Sequence, residues 1–332
     1  MNTRNTAVAF LVCWLYVACS KESTGRDGAQ LASAHPPSAP SNGSSASPLA
    51  GPEAVTWQGT ACGALECRRY DNAATALKDL LQLKPEVIAF GEAHALLGTE
   101  HILPTTTRFS EQLLPVLASF GASDLVVELL KPADSCEGAV QATRKAQAPV
   151  VERHAQGNQN RFVQLGVSAL ALGIVPHLLE PDCAEYGSIA KAGDDGVIRM
   201  LELIALKTEQ ALLSLREKRR LKGGSVLGLA YGGAIHNDVR PVAAGDGDPV
   251  PAGFSFGRTL AEATQERYLA VDLIVPEFIK ENATWRALPW VQHYDAEKAG
   301  NQVTLFRTGR ESFVIVFAPT PKATGSTEPK SY

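Results

Sequence analysis

Short apolar runs and amphipathic stretches alternate along this chain. Val87-Ile88-Ala89-Phe90 is a continuous apolar run that ends at Gly91, and Leu125-Val126-Val127 is another that runs into Glu128. Ile174 to Leu179, Val226 to Tyr231 and Tyr268 to Val275 repeat the pattern. Short runs without a polar face are those of buried parallel strands. The stretches between them have helical spacing. Leu77-Lys78-Asp79-Leu80-Leu81 predicts an amphipathic helix stopped near Pro85. Phe109, Leu113, Leu117 and Phe120 share one face of a helix over residues 105–120, with a kink expected at Pro115. Residues 160–172 predict another helix. Residues 197–220 predict a long one, whose basic end (Arg216, Lys218, Arg219, Arg220) suits the helix dipole and stops at Gly223-Gly224. Val303–Arg307 and Phe313–Phe317, around Gly309, predict a hairpin. The fold class that follows is α/β: a mostly parallel sheet flanked by helices, with a C-terminal antiparallel hairpin. Residues 131–160 and 238–267 show no period and read as irregular connections that would shape a pocket.

The ends of the chain read differently. In residues 1–18, Arg4 precedes the apolar stretch Ala7 to Ala18, the arrangement of a signal peptide. Leu15-Tyr16-Val17-Ala18-Cys19 has the form of a bacterial lipobox, with Tyr16 where Leu is usual, so Cys19 is the expected lipidation site. An ordinary secretory signal or a short anchor is the alternative. Residues 19–52 are rich in Ser, Ala, Pro and Gly and read as a flexible tether; 319–332 read as a disordered tail. A single α/β domain, 53–318, lies between. The expected location is the cell envelope, as an outer-membrane lipoprotein held to the membrane by its lipid anchor, with secretion as the alternative.

Composition narrows the partners. A net charge of −4 with a pI of about 6.0 gives no general attraction for nucleic acid. No apolar run of spanning length follows the first segment, which excludes a multi-span membrane protein. Beyond the leader the cysteines are Cys62, Cys67, Cys136 and Cys183, an even number that reads as two disulfides in an exported chain. Cys62 and Cys67 would close a small loop. Cys136 and Cys183 each follow a predicted strand, which favours the pairing Cys62–Cys67 with Cys136–Cys183. No CxxC pair is present for a cysteine metal site.

Chemistry gathers at three strand ends, where ligand sites of open α/β sheets lie. One run leads into Gly91-Glu92-Ala93-His94, one contains Glu128, and one leads into Gly232-Gly233-Ala234-Ile235-His236. If these strands are neighbours, Glu92, His94, Glu128 and His236 converge. A carboxylate buried in a strand is costly unless paired or bound to a cation. Two imidazoles and two carboxylates suit Mn, Co or Zn, which would acidify a bound water, with Glu92 as a further ligand or the general base. Each residue also has a structural reading: His94 as a helix cap, Glu128 paired with Arg108, His236 as a core histidine. Glu180 and Asp182, ending the third strand, are candidates to line the pocket; Arg108, Arg153 and Arg161 are candidates to meet an anionic group. His154 and His293 have no clear context. Asp246-Gly247-Asp248 lacks the full spacing of a calcium loop and reads as a polar turn.

The three strand-end motifs, spread over residues 84–240, resemble the superfamily that joins the Tiki/TraB proteases, erythromycin esterases and ChaN-type haem-binding lipoproteins. The resemblance implies an α/β fold with its site at the strand ends. From the Tiki/TraB branch it implies metal-dependent peptide hydrolysis through His94, Glu128 and His236. The esterase branch implies a histidine base for ester or lactone hydrolysis, although Gly-Glu-Ala-His here is one residue shorter than that branch's pattern. The ChaN branch implies a non-catalytic lipoprotein that binds haem through His and Tyr, for which Tyr231 and Tyr186 are the nearby tyrosines. The expectation is a metal-assisted hydrolase of a peptide or small-molecule ester, with haem or metal-chelate binding as the alternative.

Overall fold

The computed structural model describes residues 56–321 apart from 132–133, 153, 156, 224–226 and 242–250. The leader, Cys19, the tether, Arg153, the Asp246–Asp248 turn and the tail beyond residue 321 lie outside the described residues. Two short strands, β1 (Thr60–Ala61) and β2 (Arg68–Tyr70), precede helix α1 (Ala73–Leu81) and strand β3 (Val87–Glu92). Helix α2 (Thr105–Arg108) passes through a π-helical turn, Phe109–Leu113, into α3 (Leu114–Ser119). There follow β4 (Asp124–Leu130), α4 (Glu137–Val151), α5 (Asn158–Ala171), β5 (Val175–Leu179), α6 (Cys183–Lys191), α7 (Gly196–Lys222) and β6 (Gly228–Gly233). The chain continues through α8 (Gly257–Ala263), β7 (Tyr268–Ile274), α9 (Ala283–Ala287), α10 (Ala296–Ala299), β8 (Val303–Arg307) and β9 (Ser312–Val316).

The strands form one mixed sheet in the order β1-β2-β8-β9-β7-β3-β6-β4-β5. From β9 to β5 every neighbour is parallel; β1, β2 and β8 add an antiparallel edge. The hairpin β8–β9 is therefore present, and β9 also joins β7 in parallel. Central β3 lies between β6 and β7, with Glu92 level with Gly233 and Leu273.

The inner parallel strands β3, β6, β7 and β9 are buried on both faces, whereas β5 at the edge leaves Val175 and Leu178 exposed, and alternation assigns the two cores. Ile88, Phe90, Leu229 and Tyr231 pack with Leu77, Phe109, Leu113 and Phe162 from α1, the π turn and α5. Val87, Ala89, Ala230 and Ala270 pack with Met200, Leu203, Ile204 and Leu260 from α7 and α8. Ala270, Ala89 and Ala230 stand side by side across three strands, and their small side chains leave room for the long helix α7.

Local chemistry places the ends. Asn72 caps α1 by accepting from the Thr75 amide (2.9 Å), and Asp182 with Glu185 forms a full capping box on α6. Helix α7 stops at left-handed Gly223. Its basic end does more than meet a dipole: Arg216 pairs with Glu86 (2.5 Å) and Arg219 with Asp124 (3.2 Å), at the amino ends of β3 and β4. The bend expected at Pro115 appears as the π turn just before it, with Pro115 in the first turn of α3, where its missing N–H costs nothing. Residues 131–160, expected to be irregular, hold α4. Its many Ala and Gly positions (Gly138, Ala139, Ala142, Ala146, Ala148) give no large apolar side chains for a period to show. Residues 238–267 likewise hold α8. Among the described residues no helix is long and apolar enough to cross a membrane.

Both disulfides are formed, Cys62–Cys67 and Cys136–Cys183. The second joins the segment leaving β4 to the start of α6, which follows the neighbouring strand β5. It spans 47 residues of sequence, against 5 for the first. On the chain-entropy account, opening the longer loop costs about 4 kcal/mol and the shorter about 2 kcal/mol. Urea denaturation of Cys136→Ala/Cys183→Ala and of Cys62→Ala/Cys67→Ala should show the larger loss in the first pair.

Candidate functional site

Glu92 ends β3 and is buried. Its Oε1 accepts from His94 Nδ1 at 2.6 Å. Its Oε2 accepts from the Thr106 hydroxyl of α2 at 2.9 Å and from the Tyr231 hydroxyl of β6. Both oxygens are thus engaged by donors from three elements, which offsets the cost of burying a carboxylate. Burial and the Glu92 charge push the Tyr231 phenol well above its ordinary range, so it remains a donor. Burial of His94 opposes its protonation, but the Glu92 hydrogen bond and charge, with the charge of Glu128, outweigh it and raise the imidazole above its ordinary 6.5. With Nδ1 donating to Glu92, Nε2 is the basic atom of the ring.

A second carboxylate–imidazole pair stands beside the first. Glu128 lies where the pairing of β4 with β5 slips between Val127 and Leu130. Its Oε2 accepts from the Gly233 amide at 2.5 Å, and its Oε1 is 3.6 Å from His236 Nε2. A side chain at Gly232 would run into the Glu128 carboxylate, so the glycine is what lets Glu128 lie there. His236 sits in the turn after β6 and donates through Nδ1 to the Phe254 carbonyl (2.6 Å). The next residue anchors that turn: Asn237 donates to Asp272 (3.2 Å) and to the Ala89 carbonyl (3.3 Å), and the Tyr268 hydroxyl donates to the Asn237 carbonyl (2.6 Å). Burial alone would raise the Glu128 carboxyl; the charge and hydrogen bond of His236, the charge of His94 and the Gly233 amide overcome it and hold it down at about 2.

His154 completes the group. An isolated bridge, Leu96 to His154, and the bond from the Ala155 amide to the Ala95 carbonyl (2.8 Å) bring its segment beside the His94 loop. The His154 ring meets the edge of His94 at a centroid distance of 4.9 Å. Burial and the neighbouring His94 charge push its pKa down to about 4. No local motif marks His154; it enters the site only through this long-range pairing.

His94, Glu128, His154 and His236 line a cavity of about 530 Å3 together with residues of α4, α5, α6 and α7. Glu92 stands behind this lining, bonded to His94 on one side and to the Tyr231 hydroxyl on the other. Three other expected residues are elsewhere. Arg108 does not pair with Glu128; it donates to the carbonyls of Leu103 (3.0 Å) and Ala318 (2.5 Å) and to Thr320 (2.8 Å), fastening the C-terminal segment. Asp182 is spent on the capping box of α6, and Glu180 pairs with Lys131 on the surface. Tyr186 lines the cavity, with its hydroxyl donating to the Lys131 carbonyl (2.5 Å).

The residues bear on a metal as follows. Both oxygens of Glu92 already accept hydrogen bonds, and among the described residues no group of three or more His, Cys, Asp or Glu side chains is assembled to hold an ion. Glu128 Oε1 and His236 Nε2, both acceptors when Nδ1 carries the imidazole proton, face one another at a separation that two ligands of one divalent ion can have.

No family model and no curated protein matches the chain. Two solved structures are similar to it. The type III effector HopBA1 is 10% identical, with a TM-score of 0.39 over 77% of this chain and 98% of its own. A protein from Bacillus cereus is 11% identical, with a TM-score of 0.30 over 74% of this chain and 91% of its own.

Two outcomes follow from the geometry. Gly232→Ala should displace the Glu128 carboxylate and cost about 1–3 kcal/mol in thermal or urea unfolding, since neither strand can yield. The pH dependence of stability should carry the mark of His154. An unfolded imidazole takes its proton near 6.5, whereas the folded ring resists until about 4. Stability is therefore lost as pH falls between those values, and His154→Gln should flatten the loss there while leaving the Glu128-linked loss at lower pH.

Proposed function

We propose that this chain is an exported hydrolase of ester or amide bonds that works by histidine acid–base catalysis at the carboxyl edge of its sheet. The observation that carries the reading is the Glu92–His94 dyad, in which a buried, triply bonded carboxylate orients one imidazole at the wall of a cavity. In this reading His94 Nε2 takes a proton from water, and the oxygen of that water attacks the acyl carbon. The bond to the leaving oxygen or nitrogen then breaks, and the proton is returned to the leaving group. His236, whose Nε2 lies 3.6 Å from Glu128 Oε1, lines the same cavity as His94. The two disulfides support an oxidising compartment, and with the lipobox-like Cys19 they support placement in the cell envelope on a lipid anchor.

A metal-assisted variant is favoured by one feature, the facing acceptors of Glu128 and His236. Mn, Co or Zn held there would polarise the acyl carbonyl or acidify water. Haem binding receives less support, because the hydroxyls of Tyr231 and Tyr186 are both committed as donors.

The test uses the purified soluble domain with ester and peptide panels. His94→Ala should lower kcat by about 10²–10⁴-fold with the fold intact by circular dichroism. The acid limb of kcat/KM should lie above pH 6.5, because His94 must be neutral to act as base and Glu92 raises its pKa. Glu92→Gln should move that limb to lower pH. Full activity in His94→Ala would overturn the proposal. Stoichiometric metal lost in His236→Ala, with activity lost alongside it, would select the metal-assisted variant.

A further inference from the structure

The cavity has both polar and apolar lining. The polar side chains are the histidines and Glu128, with Thr143, Arg144, Gln147 and Glu152 of α4 and Asn158 of α5. The apolar wall comprises Val140 of α4, Tyr186 of α6, and Met200, Leu201 and Ile204 of α7, all 9% exposed or less yet facing the space. Val140 packs with Tyr186, while Met200 and Ile204 also belong to the core on the face of the sheet. Asn158 lies in the first turn of α5, one turn from Phe162, whose ring meets His94 at 5.7 Å. Asn158 is only 8% exposed, lines the cavity, and its Oδ1 accepts no hydrogen bond among the described residues. A buried amide oxygen without a partner is costly in a folded protein, and a ligand in the cavity would remove the cost. The carboxamide can present either its oxygen or its NH₂ group by turning about its last bond.

We propose that the cavity takes acyl compounds with a medium-length unbranched apolar chain, the chain lying against the α4–α6–α7 wall and the acyl head hydrogen-bonded by Asn158. The size of the space is that of a small-molecule site rather than of a peptide groove. The proposal rests on the hydrolase reading for the bond that is cut, and on the wall alone for the chain. In the reaction, water adds to the acyl carbon, the ester C–O bond breaks, and a fatty acid and an alcohol leave.

The experiment has two arms. In the first, p-nitrophenyl esters from acetyl to decanoyl are turned over by the soluble domain. The expected result is a rise in kcat/KM of up to about fourfold per added methylene until the wall is filled. Ala148→Phe, which narrows the cavity from α4, should cut decanoyl turnover more than acetyl turnover. Asn158→Ala should lower turnover for every chain length without changing the length dependence. In the second arm, decanoate and acetate are titrated calorimetrically into wild type and His94→Ala. Decanoate should bind to both and acetate to neither, and Ala148→Phe should weaken decanoate. Decanoate binding without any ester turnover would support the substrate class and remove the hydrolase. Turnover that is flat in chain length, with no decanoate binding, would overturn the substrate class and leave the hydrolase standing. Absence of both would overturn both.

Discussion

The carboxylate of Glu92 is the constraint around which the site is built. It ends the central strand, out of reach of water, and the cost of leaving it without partners would be several kcal/mol. That is a large part of the net stability of a domain, typically about 5–15 kcal/mol. The structure meets the cost with three donors, and each requirement reaches outward. Tyr231 must stand on the strand next to β3, which the parallel register of β3 with β6 provides. Thr106 must be delivered by α2, and the wide π turn that follows places Phe109 against Phe90 and Tyr231. His94 then has one remaining basic nitrogen, and its orientation is a by-product of satisfying the glutamate.

The same economy of donors explains the second pair. Glu128 occupies space that Gly232 leaves open and takes the Gly233 amide, which lies beyond the end of the ladder of β6 with β4. The two carboxylates come from different strands, and the imidazoles between them share their charge. His94 is raised by the carboxylates, while burial and the charge of His94 depress His154 within a few ångströms. The cavity exists because α4 and α6 do not pack on the faces of the sheet. They line the cavity beside α7, which itself packs on the sheet, and the Cys136–Cys183 bridge ties the entry of α4 to that of α6. The end of α7 away from the site is occupied by ion pairs to Glu86 and Asp124, which hold the opposite edge of the sheet.

Much of this could be read along the chain. The inner parallel strands were legible because burial on both faces leaves few polar positions, so they stand out as apolar runs. Glu92, Glu128 and His236 were legible for the inverse reason: a polar side chain that ends or interrupts such a run needs a partner. The disulfide pairing followed from strand order. Helix α4 was not legible, because a helix of small residues over a cavity needs no broad apolar stripe. Asp182 was read as a site residue from its position at a strand end, and Arg108 as a cation for an anionic group. Arg108 turns instead toward backbone carbonyls of a segment more than two hundred residues later, and Asp182 is consumed by its own helix end.

The sequence by itself determined the α/β class, the strands from β3 to β9, the two disulfides and four of the polar residues around the site, because each depends on local pattern or on the cost of burying a particular group; β1 and β2, two and three residues long, are too short to show a pattern. Tertiary structure alone decided which atoms those residues use. Which partners Glu92 would hold depended on the donors brought to it by α2 and β6. Whether His154 would join His94 depended on a bridge between residues 96 and 154. Contacts of that kind are set by how elements stack, and no spacing along the chain records them.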